Sequence, residues 1–443
     1  SFDWESVEGM VVTLPYPMYV VDTYDLVRRG RFVLASEQQR VPTDVDQPDR
    51  AGFRKAQQVI KSARITVDDG ITTQNKFPIP LLPEIGKQWE TLRFGSRVTD
   101  LTGVVTQYKR DYFLIPTERM QLQPQARPGR PSLGEADLVV ASFNVLNFFT
   151  TIDNGSNGAR GADNASELQR QRDKLVAAII DLNADVIGLM ELENNLQAEQ
   201  DLVNALNQQL GSDAFAGCGL SSGFSEAPGA SNKIRVGMIY RKDRVEQVNE
   251  LKHVDNPAFF NARTPLVGEF KTVNSDQSFT LIVNHFKSKG ASDAEGKDRD
   301  QNDGQSAYNA SRTRQAKAIT NFVEGIVRSG QPNVLVIGDL NAYRYEDPID
   351  VLRDAGLVDL LETKSQDPFP YTFVYFGQAG SLDQSFATPG LAASVTRAEP
   401  WHINAAEPRS LDYNTEFNPD SLYRPDPFRS SDHDPVLIGI RFQ

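Results

Sequence analysis

Residues 334–343 read Val-Leu-Val-Ile-Gly-Asp-Leu-Asn-Ala-Tyr. Four aliphatic residues in a row, with no polar alternation, mark a core strand rather than one with a wet face. The run then stops at a glycine and sets Asp339 and Asn341 at its end. Such groups sit at the rim of a sheet, half-buried and aimed into a crevice. Burying them without partners costs several kcal/mol each.

The same pattern recurs on both sides. Leu138–Leu146 (LVVASFNVL) is a buried strand that carries Asn144 among apolar residues. Glu191 directly follows the strand Val186–Met190 (VIGLM), and Asn284-His285 follow Phe279–Val283. Asp383 follows Gly380-Ser381-Leu382, and Ser431-Asp432-His433-Asp434 precede the strand Val436–Ile440. A further strand is expected over Ile234–Tyr240. Helices are expected over 167–183, where Leu168, Leu175, Val176, Ile179 and Ile180 share one face, and over 307–327. Strands alternating with helices over 138–443 predict an α/β fold, a layered sandwich. Taken singly, an Asp after a strand is usually a turn former or a cap, and a lone histidine is usually structural. Six polar clusters at strand ends, holding two of only four histidines, point instead to one shared, metal-bearing pocket. His253 and His402 lack such a setting, and no role is assigned to them.

Residues 1–121 read differently. Short strands are expected at 9–14, 18–21, 31–35, 63–67 and 104–107, with no helical stripe. This predicts a small all-β, barrel-like domain of oligonucleotide-binding (OB) type, with a plain β scaffold as the equal alternative. Residues 122–137 (LQPQARPGRPSLGEAD), with three prolines and two glycines, form the expected linker.

Composition narrows the class. Of 443 residues, 39% are hydrophobic and 9% aromatic, which excludes a disordered chain. No stretch approaches the ~18 apolar residues of a membrane span. A single cysteine, Cys218, excludes an intramolecular disulfide and a Cys-rich zinc module. The net charge of −13 excludes a globally basic nucleic-acid coat, so a polyanionic substrate needs a local basic face or metal ions. The chain starts at Ser1 without an initiator Met. The reading places it outside the cell or on its surface, with a signal peptide removed. A monomer without a protein partner is expected.

The chemistry these residue types suit is hydrolysis of a phosphoester. Glu191 and Asp432 are hard oxygen ligands suited to Mg²⁺. His433 titrates near neutrality and suits a general base or a phosphate contact, with Asp383 holding its tautomer. Asp339 and Asn341 are placed to orient water and hold the phosphoryl group. Lys287 and Lys289 add local positive charge, which Arg263, Arg312 and Arg314 extend along a backbone. The Asp-rich run 292–303 admits a structural Ca²⁺, although a solvated loop is the simpler reading. No GxSxG elbow, Walker loop or HExxH helix is present.

Six motifs occur in order: FNVLNF (143–148), DVIGLMELEN (185–194), NHFKSK (284–289), IGDLNAY (337–343), GSLDQ (380–384) and SDHDPV (431–436). This ordered set resembles the endonuclease/exonuclease/phosphatase superfamily, which includes deoxyribonuclease I. Within it the chain is most similar to bacterial extracellular nucleases of the ExeM type, through NHFKSKG, YTFVYFGQAGSLDQSFAT and the WHIN run before SDHDPV. The resemblance implies a four-layer sandwich of two packed mixed β-sheets flanked by helices. It implies attack of water on a phosphodiester with Mg²⁺ or Mn²⁺. Asn144, Glu191 and Asp432 would serve the metal, and Asp339 and Asn341 would hold water and phosphate. His285 and His433 would contact the scissile phosphate or transfer the proton, with Asp383 orienting His433. The substrate expected is DNA, with RNA as the alternative, cut endonucleolytically and without sequence preference. Two departures stand out: neutral Asn232 where relatives supply an acidic partner for the first histidine, and Asn404-Ala405-Ala406-Glu407-Pro408 where they carry NADEP, which leaves one carboxylate missing. The rival readings are a phosphatase or phospholipase of the same fold, and a noncatalytic nucleic-acid or surface-binding protein.

Overall fold

The computed structural model describes residues 4–87, 91–109, 111–273, 277–291 and 293–442. Two mixed β-sheets pack face to face between helices. The first runs Phe215–Gly217, Ile234–Arg241, Val186–Glu193, Leu138–Phe148, Val436–Ile440, Val395–Pro400. The second runs Val245–Gln247, Leu266–Thr272, Ser278–His285, Val334–Asp339, Asp383–Ala387, Val358–Asp359, with Lys252–His253 paired on Leu266–Thr272. Each sheet has one parallel pair at its centre, 138–148 with 186–193 and 278–285 with 334–339. Parallel neighbours need a long crossover. Helices Ala165–Leu182 and Asn309–Arg328 supply them, close to the spans expected from periodicity.

Alternation along the strands sorts the apolar side chains into three slabs. Leu138, Val140, Val186, Met190, Leu281, Val283, Leu335 and Ile337 meet between the sheets. Ala141, Phe143, Ile187 and Leu189 face Leu175, Ile179, Leu202 and Leu206 of helices 165–182 and Leu196–Leu210. Ile282, Val334 and Val336 face Ile319, Val323, Ile349 and Leu352 on the other side. The order is helix, sheet, sheet, helix: the four-layer sandwich expected above.

The strand-rich amino-terminal region is present and larger than expected. Eight strands form one sheet in the order Val11–Leu14, Leu101–Tyr108, Asp111–Pro116, Arg64–Val67, Phe32–Ala35, Met18–Asp22, Arg97–Thr99, Gln121–Gln123. It also contains a 13-residue helix, Arg50–Ser62, where no helical stripe was read. The helix buries none of its residues, so its apolar stripe (Phe53, Ala56, Ile60) is narrow and diluted by Arg, Lys and Gln. The signal available was its cap: Asp49 accepts from the Gly52 N–H at 2.5 Å.

Residues 39–44 of this region lie along the sandwich. Ala379 N donates to Gln39 O at 2.9 Å, and Val41 N donates to Ala379 O at 3.0 Å. Buried Asp44 accepts from Ser381 N at 3.1 Å, two residues before Asp383. Thr43 Oγ1 donates at 2.9 Å to Glu346, which is fully buried and also binds Lys289 Nζ at 2.6 and 2.7 Å. Removing one member of a buried pair strands the other's charge. Glu346→Ala should therefore cost about 3–5 kcal/mol in urea unfolding. A loss below ~1 kcal/mol, the range of exposed pairs, would refute this role.

Candidate active site

The crevice is the continuation of the inter-sheet slab past the strand ends. In the second sheet Leu281, Val283 and His285 point the same way, as do Leu335, Ile337 and Asp339. Register sets His285 opposite Asp339, and Asp339 opposite Asp383, in one row across three strands. In the first sheet Asn144 lies opposite Met190. Strand 186–193 then shifts register between Met190 and Leu192, and Glu191 has φ 68°. Leu192, not Glu191, thereby takes the place facing the helices. An extra residue in a strand re-aims a side chain in this way. Leu146 and Asn147, with φ 54° and 47°, form the matching irregularity, and Asn147 N donates to Glu191 Oε2 at 2.9 Å.

These elements bring together eight of the residues singled out by sequence. His433 Nδ1 bonds Asp383 Oδ2 at 2.7 Å, leaving Nε2 4.0 Å from Asp339 Oδ2. His285 Nε2 is 3.3 Å from Asp339 Oδ2 and 4.0 Å from Glu191 Oε1. Asn144 donates to Asp339 at 3.4 Å and accepts from Leu146 N at 3.1 Å. Asn341, with φ 48°, donates its backbone N–H to Asp339 Oδ1 at 2.8 Å and its amide to Phe286 O at 3.3 Å. Asp432 stands close enough for its charge to act on both Glu191 and His433.

Burial sets the charges. It pushes the Glu191 carboxyl up, and the negative charge of Asp432 adds to this. Burial also pushes Asp339 up. The hydrogen bond from His285 and the charge of His433 outweigh it, holding Asp339 well below the usual carboxylate range. Burial, with the Arg263 guanidinium beside it, lowers His285 to about 4 and keeps it neutral. His433 goes the other way: burial lowers it, but the Asp383 charge and hydrogen bond carry it well above 6.5.

Glu191, His285 and Asp339 each offer a ligand atom within 4.8 Å of the others. Two carboxylates converging in a buried crevice, with Asp432 repelling Glu191, fit a hard divalent cation, whereas His285 Nε2 is turned to Asp339 as its donor. The group sets Asp339 beside the expected donors Glu191, Asn144 and Asp432. The other such group among the described residues is Asp163, Glu167 and Glu416. There Glu167 already accepts from Thr415 N and Oγ1 and from Asp163 N. Neither group falls in 293–303, and Ser292 lies outside the described residues. In that run Asp298 accepts from Ser311 N and Oγ, and Asp293 accepts from the Tyr308 hydroxyl.

The basic residues expected to follow a phosphate backbone are not brought together. Lys289 is held by Glu346, and burial lowers its pKa to about 8. Arg314 pairs with Asp298 and Ser311 on its own helix and the loop before it. Arg312 is buried, donating to the carbonyls of Ala307 and Gln305. Arg263 is buried under the crevice and donates to Phe286 O. Lys287 lies over the Tyr308 ring at 4.4 Å. In each case a carbonyl, carboxylate or ring within the fold takes the charge that sequence alone leaves free.

Both departures acquire a physical reading. Asn232 accepts from Ile234 N at 3.4 Å and does not partner His285, which turns to Asp339 instead. Ala406 packs with Val21, Ala35 and Phe94 of the amino-terminal region, an apolar place where a carboxylate would lack a partner. Sequence reasoning missed the residues that hold the SDHD loop. Buried Asn404 donates to His433 O at 2.7 Å and accepts from Ser430 N and Ser431 N. Asp434 accepts from Asn404 N, Ala405 N and the His402 ring. The WHIN run carried this signal, but only contacts across 30 residues reveal its use.

Residues 141–433 match the Endonuclease/Exonuclease/phosphatase family. No curated protein matches the chain. Among solved structures, an endonuclease/exonuclease/phosphatase family protein from Bacteroides thetaiotaomicron is 18% identical, with a TM-score of 0.45 over 69% of this chain and 95% of that one. The mannosyl-6-phosphatase of the same organism is 19% identical, with a TM-score of 0.45 over 69% and 100%. A D. rerio TDP2 complexed with single-strand DNA product is 16% identical, with a TM-score of 0.41 over 69% and 99%.

His402 provides a test of the loop's construction. It stacks on Tyr371 at 4.0 Å and bonds Asp434 at 2.8 Å and Asp367 at 3.5 Å. Burial lowers its pKa, but these two carboxylates raise it to about 9 from 6.5. A raised histidine stabilises the fold below its unfolded pKa, and the effect is lost as pH climbs through the folded value. The stability advantage of wild type over His402→Gln should be full near pH 6 and shrink between about pH 6.5 and 9. A difference constant across that window in urea unfolding would refute the assignment.

Proposed function

The chain belongs to the endonuclease/exonuclease/phosphatase family, and from that premise we propose that it is a divalent-metal-dependent extracellular nuclease of the ExeM type. Its substrate is DNA, with RNA as a second polymer of the same chemistry, cut internally and without sequence preference. Enzymes of this family hydrolyse phosphoester bonds. The observation that carries the reading is one buried crevice in which the Asp383–His433 pair faces the Glu191–His285–Asp339 group. In this proposal residues 1–121 form a separate, strand-rich domain that carries helix 50–62, joined by 122–137 to the catalytic part, 138–443. The protein acts as a monomer outside the cell or on its surface. Among the described residues no helix is long and apolar enough to cross a membrane.

Glu191, with Asn144 and Asp432 beside it, would hold Mg²⁺ or Mn²⁺, and Asp339 lies within reach of the same ion. When bound, the cation neutralises charge on the phosphodiester and polarises the P–O bond. The chain's own groups account for the rest. Asp339, held ionised, accepts a hydrogen bond from the attacking water, and Asn341 and His285 keep that carboxylate in place. Asp383 fixes His433 with Nε2 toward the crevice and favours the imidazolium. At neutral pH His433 therefore enters as a donor to a phosphoryl or leaving oxygen. His285, neutral, donates to Asp339 rather than carrying charge to the phosphate.

Purified protein should nick supercoiled plasmid with Mg²⁺ or Mn²⁺ and leave it intact with EDTA. His433→Ala and Asp383→Asn should each slow nicking by roughly 10²–10⁴-fold. Nicked circles preceding linear DNA would establish internal cutting. Intact plasmid with every cation, from folded protein that turns over a phosphomonoester, would replace the nuclease by a phosphatase.

A further inference from the structure

A cleft of about 1510 Å³ opens between the amino-terminal region and the sandwich, with Asp432 at its catalytic end. Rings lead into it from the catalytic histidine. Phe373 lies 4.6 Å from the His433 ring, Tyr375 stacks 6.2 Å from Phe373, and Phe376 meets Tyr375 edge-on at 4.5 Å. Tyr375 and Phe376 are 57% and 66% exposed at the tip of the hairpin formed by Phe373–Tyr375 and Gln378–Gly380. Large exposed aromatics held in a ladder, rather than packed away, form a surface for flat ligands.

The amino-terminal region both supports the hairpin and lines the cleft. Gln57 Nε2 donates to Gln378 Oε1 at 3.2 Å, and the 39–41 backbone pairs with Ala379. Lys55 and Lys61 of helix 50–62 are exposed on the cleft and have no ion-pair partner among the described residues. Arg64 extends this edge, and Arg409 lies over the Tyr24 ring at 3.8 Å. Asp22, Asp25 and Asp111 also line it. Of the remaining carboxylates, Glu407 is taken up by Arg93 and Arg127, and Asp432 marks the catalytic end. On a chain of net charge −13, a lining in which six cations, Arg31 and Arg429 included, meet five carboxylates stands out.

Resting on the nuclease reading above, we propose that this cleft seats one single strand of nucleic acid leading away from the scissile phosphate. Its bases stack on Tyr375 and Phe376, and its phosphates pass Lys55, Lys61 and Arg64. Aromatic platforms flanked by cations are the arrangement that binds single strands without regard to sequence. The amino-terminal region is then half of the substrate site.

The test compares the full chain with Tyr375→Ala/Phe376→Ala and with Lys55→Ala/Lys61→Ala, each checked for unchanged melting temperature. Two metal-dependent substrates are used: a single-stranded DNA 20-mer and bis(4-nitrophenyl) phosphate, which is too small to reach the cleft. Binding of a fluorescent 20-mer in EDTA is followed by anisotropy. Each double variant should raise KM for the 20-mer at least tenfold more than KM for the small diester. The aromatic pair should weaken anisotropy binding by a similar factor. The lysine pair should flatten the slope of log Kd against log salt by roughly 1.4. Equal effects on both substrates, unchanged anisotropy, or a duplex 20-mer bound more tightly with the same sensitivity would each overturn the cleft, leaving small-diester hydrolysis and the nuclease reading intact. A wild-type chain that hydrolyses neither substrate would instead overturn that reading. The anisotropy arm then still decides the cleft.

Discussion

Asp339 and Asp383 sit directly opposite each other on neighbouring strands, buried, at the end of an apolar slab. Like charges so placed repel, and neither can be rehydrated. Much of the surrounding structure serves to settle that conflict. His433 binds Asp383 on one side, His285 and the Asn341 backbone bind Asp339 on the other, and Arg263 adds positive charge from below. The two histidines end in opposite states because their partners differ. His433 faces Asp383 squarely and is pushed toward the imidazolium, whereas His285 shares its surroundings with Arg263 and stays neutral.

Satisfying this row requires chain from distant places. The SDHD loop owes its shape to Asn404 and Asp434, and these in turn join it to the 402–405 segment. That segment passes its load to the amino-terminal region: Arg93 donates to His402 O and pairs with Glu407, and Phe94 N donates to Ala406 O. On the other side Asp44 takes the Ser381 N–H just ahead of Asp383. Both strands of support for the Asp383–His433 pair therefore reach into residues 1–121. This gives a physical reason for Ala406: its methyl group makes an apolar contact with that region.

Much of the sandwich was legible because unbroken apolar runs survive only where strands are buried on both faces, as in 334–337 and 186–190. The helices at 165–182 and 309–328 declared themselves by a stripe at period 3.6. Helix 50–62 did not, since it buries no residue and its polar composition outweighs its narrow stripe. The crevice was legible as a set of strand-end polar residues, but not as a geometry. Lys289 and Arg314 illustrate the limit: beside the NHFKSK motif and on a helix they read as free cations, while Glu346 and Asp298 claim them in the fold.

The sequence by itself determined which side chains end the core strands, because alternation and burial are properties of short stretches. It thereby determined the family and the pool from which the crevice is drawn. Register and packing decided what that pool becomes. A slip of one residue would turn His285 or Asp339 to the helix side, and without its irregularity at Met190–Leu192 the strand would turn Glu191 away. Which cations stay free, which histidine is charged, and how residues 1–121 wall the cleft follow from contacts between residues up to about 340 positions apart. Such contacts depend on three-dimensional distance, on which local sequence carries no information.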